Sequence, residues 1–314
     1  MPRFVLAALT ALSLQAAVTI EKTAWSGWPN CYRVANGKVE LIVTTDIGPR
    51  VMRYGFVNGQ NLFKEFPEQL GKSGERDYQL RGGHRLWVAP EELRTSWALD
   101  NTAVRAETGD GVLTVTQPVD SAGIEKRIAI RLDPAGSAVE LTHRIRNTTP
   151  WAIELAPWTL TMMAPGGTGI TGFPPRGKHP EVLLPTNPVV MWAYTNFSDA
   201  RWRFFEKYLT LKQDRFNGSP QKVGLYNPNT WAAYLLGTDL FIKRTTAEPG
   251  AKYPDFNCSL EMFTNADFLE LETLGPLRRL QAGQTVEHVE RWELREHITV
   301  PVWNDAALDA ALAR

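Results

Sequence analysis

The sequence predicts an all-β fold, a large antiparallel β-sandwich with minor helices, and three observations predict it. Apolar residues recur with period two far more often than with period 3.6, the alternating runs end at short Gly, Pro, Asn and Asp clusters, and no helical stretch separates them as βαβ units would require. The 314 residues are 43% hydrophobic and 22% charged, enough to bury a large core without disulfides or metal. Basic and acidic residues number 34 each, with no Lys/Arg run. That removes the electrostatic footprint needed to hold a phosphate backbone, so nucleic acid is not an expected partner.

Taken in order, the chain opens with Met1-Pro2-Arg3, an apolar run to Leu14 and then Gln15-Ala16-Ala17. One basic residue, a short apolar core and small residues after it have the form of a secretory signal peptide. This assigns 1–17 to a leader, 18–314 to a single sandwich domain, and the mature protein to the periplasm or the medium. The run falls short of the roughly 20 residues that cross a bilayer, and no other segment is longer and as apolar, so no membrane span is expected. Alternation then marks strands at 39–43, 112–116, 127–132 and 139–145, and after the middle of the chain at 208–211, 231–236, 240–243, 259–263, 268–273 and 286–294. From 164 to 188 glycine and proline are so dense that a long loop over a ligand cleft is expected, flanked by Trp158 and Trp192. Helix is confined to a turn or two after Ser198 and to 305–314, where Asn304 can cap and Leu308 and Leu312 share a face. Cys31 and Cys258 belong to no metal or redox motif and read as two independent buried thiols, with a long-range disulfide as the alternative.

Two segments carry more than fold information. In 80–92, Gly82-Gly83 lets backbone approach a ligand closely, Arg81, His84, Arg85 and Glu91 offer donors and acceptors, and Trp87 offers a flat face. Polar forks beside an aromatic plate suit a sugar; a plain Gly-Gly turn with solvated charges fits the same spacing. In 268–277, Glu270 and Glu272 share one strand face while Leu269 and Leu271 enter the core. Crowded or buried carboxylates there would have one pKa raised into the range of proton transfer; a solvated outer face is the plainer reading. Trp87, Trp158 and Trp192 are the aromatic candidates for a cleft, most other tryptophans being core. His143 and His179 carry no signal, His288 and Glu290 read as sheet surface, and no third ligand accompanies them, so no metal is expected. The sequence has no G-x-S-x-G, P-loop or G-x-G-x-x-G.

These residues resemble the galactose mutarotase-like superfamily, which includes aldose 1-epimerases and hexose-phosphate mutarotases, and within it an uncharacterised bacterial branch marked by G-G-x-[KR]-L-W-x-A-P-E. The segment from Asp46 to Tyr54 with Asn61-Leu62-Phe63 is similar to the family's opening strands. Arg81-Gly82-Gly83 resembles an arginine-glycine-glycine whose arginine contacts substrate. Leu271-Glu272-Thr273 resembles a late leucine-glutamate-threonine whose glutamate is the base, and 139–147 with Pro150 is similar to the strand that ends in an asparagine turn. The resemblance implies a single β-supersandwich with a sugar-binding concave face and no cofactor. The stretch 155–163, where the family carries an acid histidine, contains none; His84 is the substitute.

Two functions therefore stand open for a sugar or glycan ligand. One is an aldose 1-epimerase interconverting anomers, with Glu272 as base and His84 as acid, and with Arg81, Arg85, Trp87, Glu91, Trp158, Trp192 and Glu270 binding substrate. The other is a non-catalytic periplasmic sugar-binding module. A lyase or hydrolase on the same sandwich ranks behind both.

Overall fold

In the computed structural model, which describes residues 17–184, 186 and 189–313, the period-two runs pair into two antiparallel sheets. The leader expected over 1–17 lies, except for its last residue, outside the described residues. Among the described residues one sheet has eleven strands. From edge to edge it runs β1 (Thr19–Trp25), β2 (Trp28–Ala35), β3 (Val39–Thr44), β4 (Arg50–Phe56), β5 (His84–Ala89), β10 (Ile153–Met163), β19 (Leu269–Leu274), β18 (Leu260–Thr264), β15 (Gln221–Leu225) and β12 (Val190–Met191), with β20 (Arg278–Leu280) paired to the start of β10. The other has ten, in the order β13 (Trp202–Phe204), β14 (Tyr208–Lys212), β11 (Thr168–Gly172), β16 (Trp231–Leu236), β17 (Asp239–Arg244), β21 (Thr285–Arg295), β9 (Val139–Asn147), β8 (Ile124–Leu132), β7 (Val112–Thr116) and β6 (Arg105–Gly109).

The expected alternation is plain in β8, β9 and β21, where every second residue is buried against the facing sheet. The two sheets meet on a knot of rings: Tyr54, Phe63, Phe241 and Trp292 lie with centroids 5.5–6.3 Å apart, mostly edge to face. In β5 and β19 every residue is buried. Their inner faces pack on the second sheet and their outer faces are roofed by loops, and that double burial singles out the middle of the eleven-stranded sheet.

Three expectations change. The stretch 164–188 is not loop throughout, because Thr168–Gly172 forms β11 between β14 and β16. A Cβ on Gly169 would come within 3.2 Å of Leu269 and Met262 of the opposite sheet, so glycine here permits close sheet packing instead of ending an element. The segment after Ser198 is a turn, tied by Asp199 accepting from the Arg201 amide at 2.9 Å, and Trp202 already begins β13. His288 and Glu290 belong to the inward face of β21 and are buried, not surface. Cys31 and Cys258 are free buried thiols, in line with the first of the two readings. At the C-terminus Asn304 caps the helix Asp305–Leu312 by accepting from the Ala307 amide at 2.9 Å, and Leu308 is buried. No helix of the described residues is long and apolar enough to cross a membrane.

Candidate functional site

Register decides which side chains meet. Across the middle of the first sheet Arg85, Leu160, Glu272, Glu261 and Gly224 stand in one row, flanked by rows carrying Trp87 with Trp158 and Met162 with Glu270, Phe263 and Lys222. Because side chains alternate, all of these point outward, away from the second sheet.

The outer face holds a charged cluster out of water. Glu261 and Glu272 are fully buried, while Arg85, Glu270 and Lys222 are all but buried. Glu272 Oε2 accepts from Trp158 Nε1 at 2.8 Å and from Lys222 Nζ at 3.0 Å. The same ammonium lies 2.7 Å from Glu261 Oε2 and sits between two indoles, 4.8 Å from the Trp158 ring centre and 4.7 Å from that of Trp192. Arg85 pairs with Glu270 at 3.0 Å and lies 4.5 Å from the Trp87 ring centre. Gly224 is glycine because a Cβ would lie 2.4 Å from Cys258 Sγ and 3.1 Å from Trp192, the residue that closes this end. Tyr194, 42% exposed and edge-on to Phe263 at 6.5 Å, stands within electrostatic reach of Lys222, Glu272 and Glu261 at the mouth.

Burial raises the Glu261 carboxyl well above the usual range, with Lys222 opposing and Glu272 and Asp255 adding to it. Glu270 is raised for the same first reason, with Arg85 opposing and Glu272 adding. Burial alone would lower Lys222, but Glu261 and Glu272 hold it well above the ordinary lysine value. Among the buried side-chain polar atoms of the described residues that have no hydrogen bond, six lie here; Nη1 of Arg85 with Oε1 of Glu270, and Oε2 of Glu261 with Lys222, are held as ion pairs, which leaves Arg85 Nε, Glu261 Oε1 and Glu272 Oε1 without a partner. Native interiors leave few such groups, and a concentration of them marks a place built to meet something.

The expected site residues divide. Arg85, Glu270, Glu272, Trp87, Trp158 and Trp192 do come together on this face. Trp87 and Trp158 are nearly buried and pack on each other at 5.4 Å, and Trp87 also packs on Tyr78 and Trp97, so of the three only Trp192 presents a half-exposed ring. Arg81 does not join them. Its guanidinium is buried and bonds the carbonyls of Gln69 and Lys72 and the Glu75 carboxylate, bolting down the 66–75 segment. Gly82 and Gly83 serve the same packing, since Cβ atoms there would lie 1.9 Å from the Lys64 carbonyl and 2.4 Å from that of Val51. Glu91 is exposed and accepts from Trp97 at 3.1 Å in the roofing loop. Lys222 and Glu261 were missed; the available signal was one charge inside each of two otherwise buried strands.

His84 is the main correction. It is one residue from Arg85, so its side chain takes the opposite face and lies between the sheets. There it belongs to a closed network. The His143 Nδ1–H donates to the His288 carbonyl at 3.1 Å, which leaves His143 Nε2 to accept from His84 Nε2 at 2.8 Å, and His84 Nδ1 accepts from Thr161 at 2.9 Å. Glu290 Oε1 meets Lys243 at 2.7 Å and accepts from Thr159 and Thr273 at 2.5 Å each, while Oε2 accepts from Trp292 at 2.8 Å. Thr273 in turn takes the His288 Nε2–H at 2.7 Å. Donor atoms of His84, His143 and Glu290 lie within 4.8 Å of one another, a spacing that would admit a metal. The Lys243 ammonium already supplies the positive charge that Glu290 needs, and the facing histidine nitrogens satisfy each other. The network clamps the sheets; it is separated from the outer cluster by the backbone of β5, β10 and β19.

No protein-family model and no curated protein sequence matches the chain. Solved structures do. A galactose mutarotase-like protein from Lactobacillus casei aligns over 85% of this chain and 100% of its own, with a TM-score of 0.53 at 11% identity. A galactose mutarotase-like protein from Clostridium acetobutylicum aligns over 89% and 99%, TM-score 0.54 at 10% identity. A galactose mutarotase related enzyme from Lactobacillus acidophilus aligns over 85% and 98%, TM-score 0.53 at 10% identity. At such identities the likeness is one of architecture, and the two antiparallel sheets that carry this buried charge cluster have the galactose mutarotase-like fold.

Proposed function

We propose that the protein binds a sugar against the outer face of the eleven-stranded sheet and interconverts its anomers, with Glu272 as base and Glu270 as acid. The observation that carries the reading is the cluster of buried charges on one face, in which Arg85 Nε, Glu261 Oε1 and Glu272 Oε1 have no partner, bordered by the half-exposed ring of Trp192. Glu272 is clamped through Oε2, so Oε1 is the oxygen free to take the proton of the anomeric hydroxyl. Glu270, two residues along the same face and therefore about 7 Å away, is the acid: burial shifts its carboxyl toward holding a proton, which it gives to the ring oxygen as the C1–O5 bond opens. Rotation about C1–C2 and the reverse transfers close the other anomer, and both carboxyls return to their starting state. The fold shared with a galactose mutarotase related enzyme adds support. His84 has no part in this scheme.

Exchange and saturation-transfer NMR with a panel of aldoses tests it. Exchange of α and β anomers above the spontaneous rate should fall by about 10²-fold or more in Glu272→Gln and in Glu270→Gln with affinity nearly kept. His84→Asn should keep the exchange of whatever protein folds. Binding without exchange would make the protein a sugar-binding module, and no binding of any sugar would remove the reading altogether.

A further inference from the structure

The ten-stranded sheet has an outer face of its own, and the C-terminal helix covers only part of it. Leu308 and Ala311 of that helix share an apolar cluster with Ile170, Ala233 and Ile242. Ala232 and Tyr234 of β16 turn to the core between the sheets, so Trp231, in line with Ala233, faces outward at the border of the covered patch. Its indole lies across Gly172 of β11, where a Cβ would come within 3.0–3.3 Å of three atoms of the ring system, and its ring meets that of Tyr208 at 6.1 Å. Glycine there lets the indole settle against the sheet, half-buried and partly open. A cavity of about 620 Å³ adjoins Trp231 toward Thr245, Thr246 and His288, and another of about 380 Å³ adjoins it toward Phe173 and Arg176.

Two features of the larger cavity say what fits it. His288 lines it and is only 7% exposed. Its Nε2–H donates to Thr273, so Nδ1 carries the lone pair, and no protein group among the described residues donates to that nitrogen. A buried acceptor in a cavity wall calls for a donor. The charges on the rim call for nothing: Arg244 is paired with Glu293 at 2.8 Å, Arg278 with Glu248, Arg144 with Glu287 at 2.8 Å and Arg291 with Glu140 at 3.2 Å. An ionic ligand would have to break these pairs, and a purely apolar one would leave His288 Nδ1 unmet. We infer that this face is a second binding site, apart from the charge cluster on the other sheet, and that it takes a neutral oligosaccharide. Trp231 is the plate under the C–H face of one ring, and His288 Nδ1 accepts a hydroxyl. Because the plate stands between two cavities, the chain has room for a further unit on either side. The inference does not depend on the roles of Glu272 and Glu270.

Titration calorimetry and saturation-transfer NMR on the full chain test it, with maltohexaose, cellohexaose, xylohexaose and mannohexaose, their parent monosaccharides, and hexagalacturonate as the anionic counterpart. At least one neutral hexaose should bind about tenfold or more tighter than its monosaccharide, and hexagalacturonate should bind more weakly than that hexaose. Trp231→Ala should weaken the hexaose by about tenfold or more, the usual effect of deleting a stacking tryptophan. Thr246 is exposed on the cavity wall, so Thr246→Arg narrows the cavity without touching the packed indole; it should weaken the hexaose as well, and it decides the matter if Trp231→Ala does not fold. Hexaose binding that survives Thr246→Arg and any folded Trp231→Ala would overturn the site, as would the absence of hexaose binding to the wild type. Hexagalacturonate binding as tightly as the neutral chains would overturn the assignment of a neutral ligand. None of these results bears on anomer exchange at the other sheet, which has its own test.

Discussion

At the scale of single residues, Lys222 does the work that no histidine does on the outer face. Its ammonium is the counter-ion of both Glu261 and Glu272, and its stem runs from β15 to the gap between Trp158 and Trp192. Breaking a buried pair by removing one partner leaves the others uncompensated, a loss of about 3–5 kcal/mol. Lys222→Met keeps the apolar stem and deletes the charge, so its urea-unfolding stability should fall by about that amount. A loss below about 1 kcal/mol, the value of a surface pair, would mean that water reaches the cluster freely. Trp158→Phe makes a smaller and separable change. The ring face toward Lys222 survives, the bond to Glu272 Oε2 is lost, and the expected cost is about 1.5–3 kcal/mol, the worth of a hydrogen bond to a charged group.

Strands and turns show why some of this could be read in the chain and some could not. Period two placed β8, β9 and β21 correctly, and in 268–273 it put Glu270 and Glu272 on one face and Leu269 and Leu271 on the other, as found. Parity also contained the answer for His84: a strand through 84 and 85 puts Arg85 and His84 on opposite faces, so both could not serve one cleft. Glycine misled twice, because a glycine that ends an element and a glycine that lets two backbones touch are spelled the same way. Arg81-Gly82-Gly83 is a packing device, and β11 is a strand whose glycines make room for the facing sheet. Gly169→Ala should therefore cost about 1–3 kcal/mol through overpacking against Leu269 and Met262. The same change at Gly111, whose Cβ would meet nothing within 4 Å but whose φ is +71°, should cost about 1–2 kcal/mol through backbone strain alone. If denaturant midpoints show no loss for Gly169→Ala, the Leu269 and Met262 side chains give way to the added methyl. Lys222 and Glu261 reach the site from strands far apart in sequence, and only the order β19-β18-β15 makes them neighbours; no local pattern carries that.

For the molecule as a whole, two buried polar systems lie on the two faces of one sheet, and they titrate in opposite senses. Between the sheets, burial lowers His143 to about 4 and His288 to about 3, and lowers His84 well below its ordinary value. A base whose folded pKa is depressed contributes stability that is complete above its unfolded value near 6.5 and is lost as the pH falls. Each such histidine gives a slope of about 1.4 kcal/mol per pH unit, roughly 4 for the three. On the outer face Glu261 and Glu270 are raised, so their contribution is complete below the unfolded value near 4.5 and is lost as the pH rises, up to about 3 kcal/mol per unit for the two. From pH 6 toward 5 the two terms oppose each other, so the loss on acidification is shallower than the histidines alone would give, and once the unfolded histidines have lost their protons the Glu261 carboxyl, held well above its usual range, still lowers stability as the pH rises. Urea midpoints from pH 5 to 8 should trace that shallow dome. The Glu261→Gln/Glu270→Gln double variant should lose the alkaline limb and steepen the acid limb to about 4 kcal/mol per unit, because the histidine slope is no longer offset. An acid limb that stays shallow in the double variant would mean that the three histidines take up protons within the folded state, and the His84–His143–Glu290 network would then not be the contact that gives way in acid.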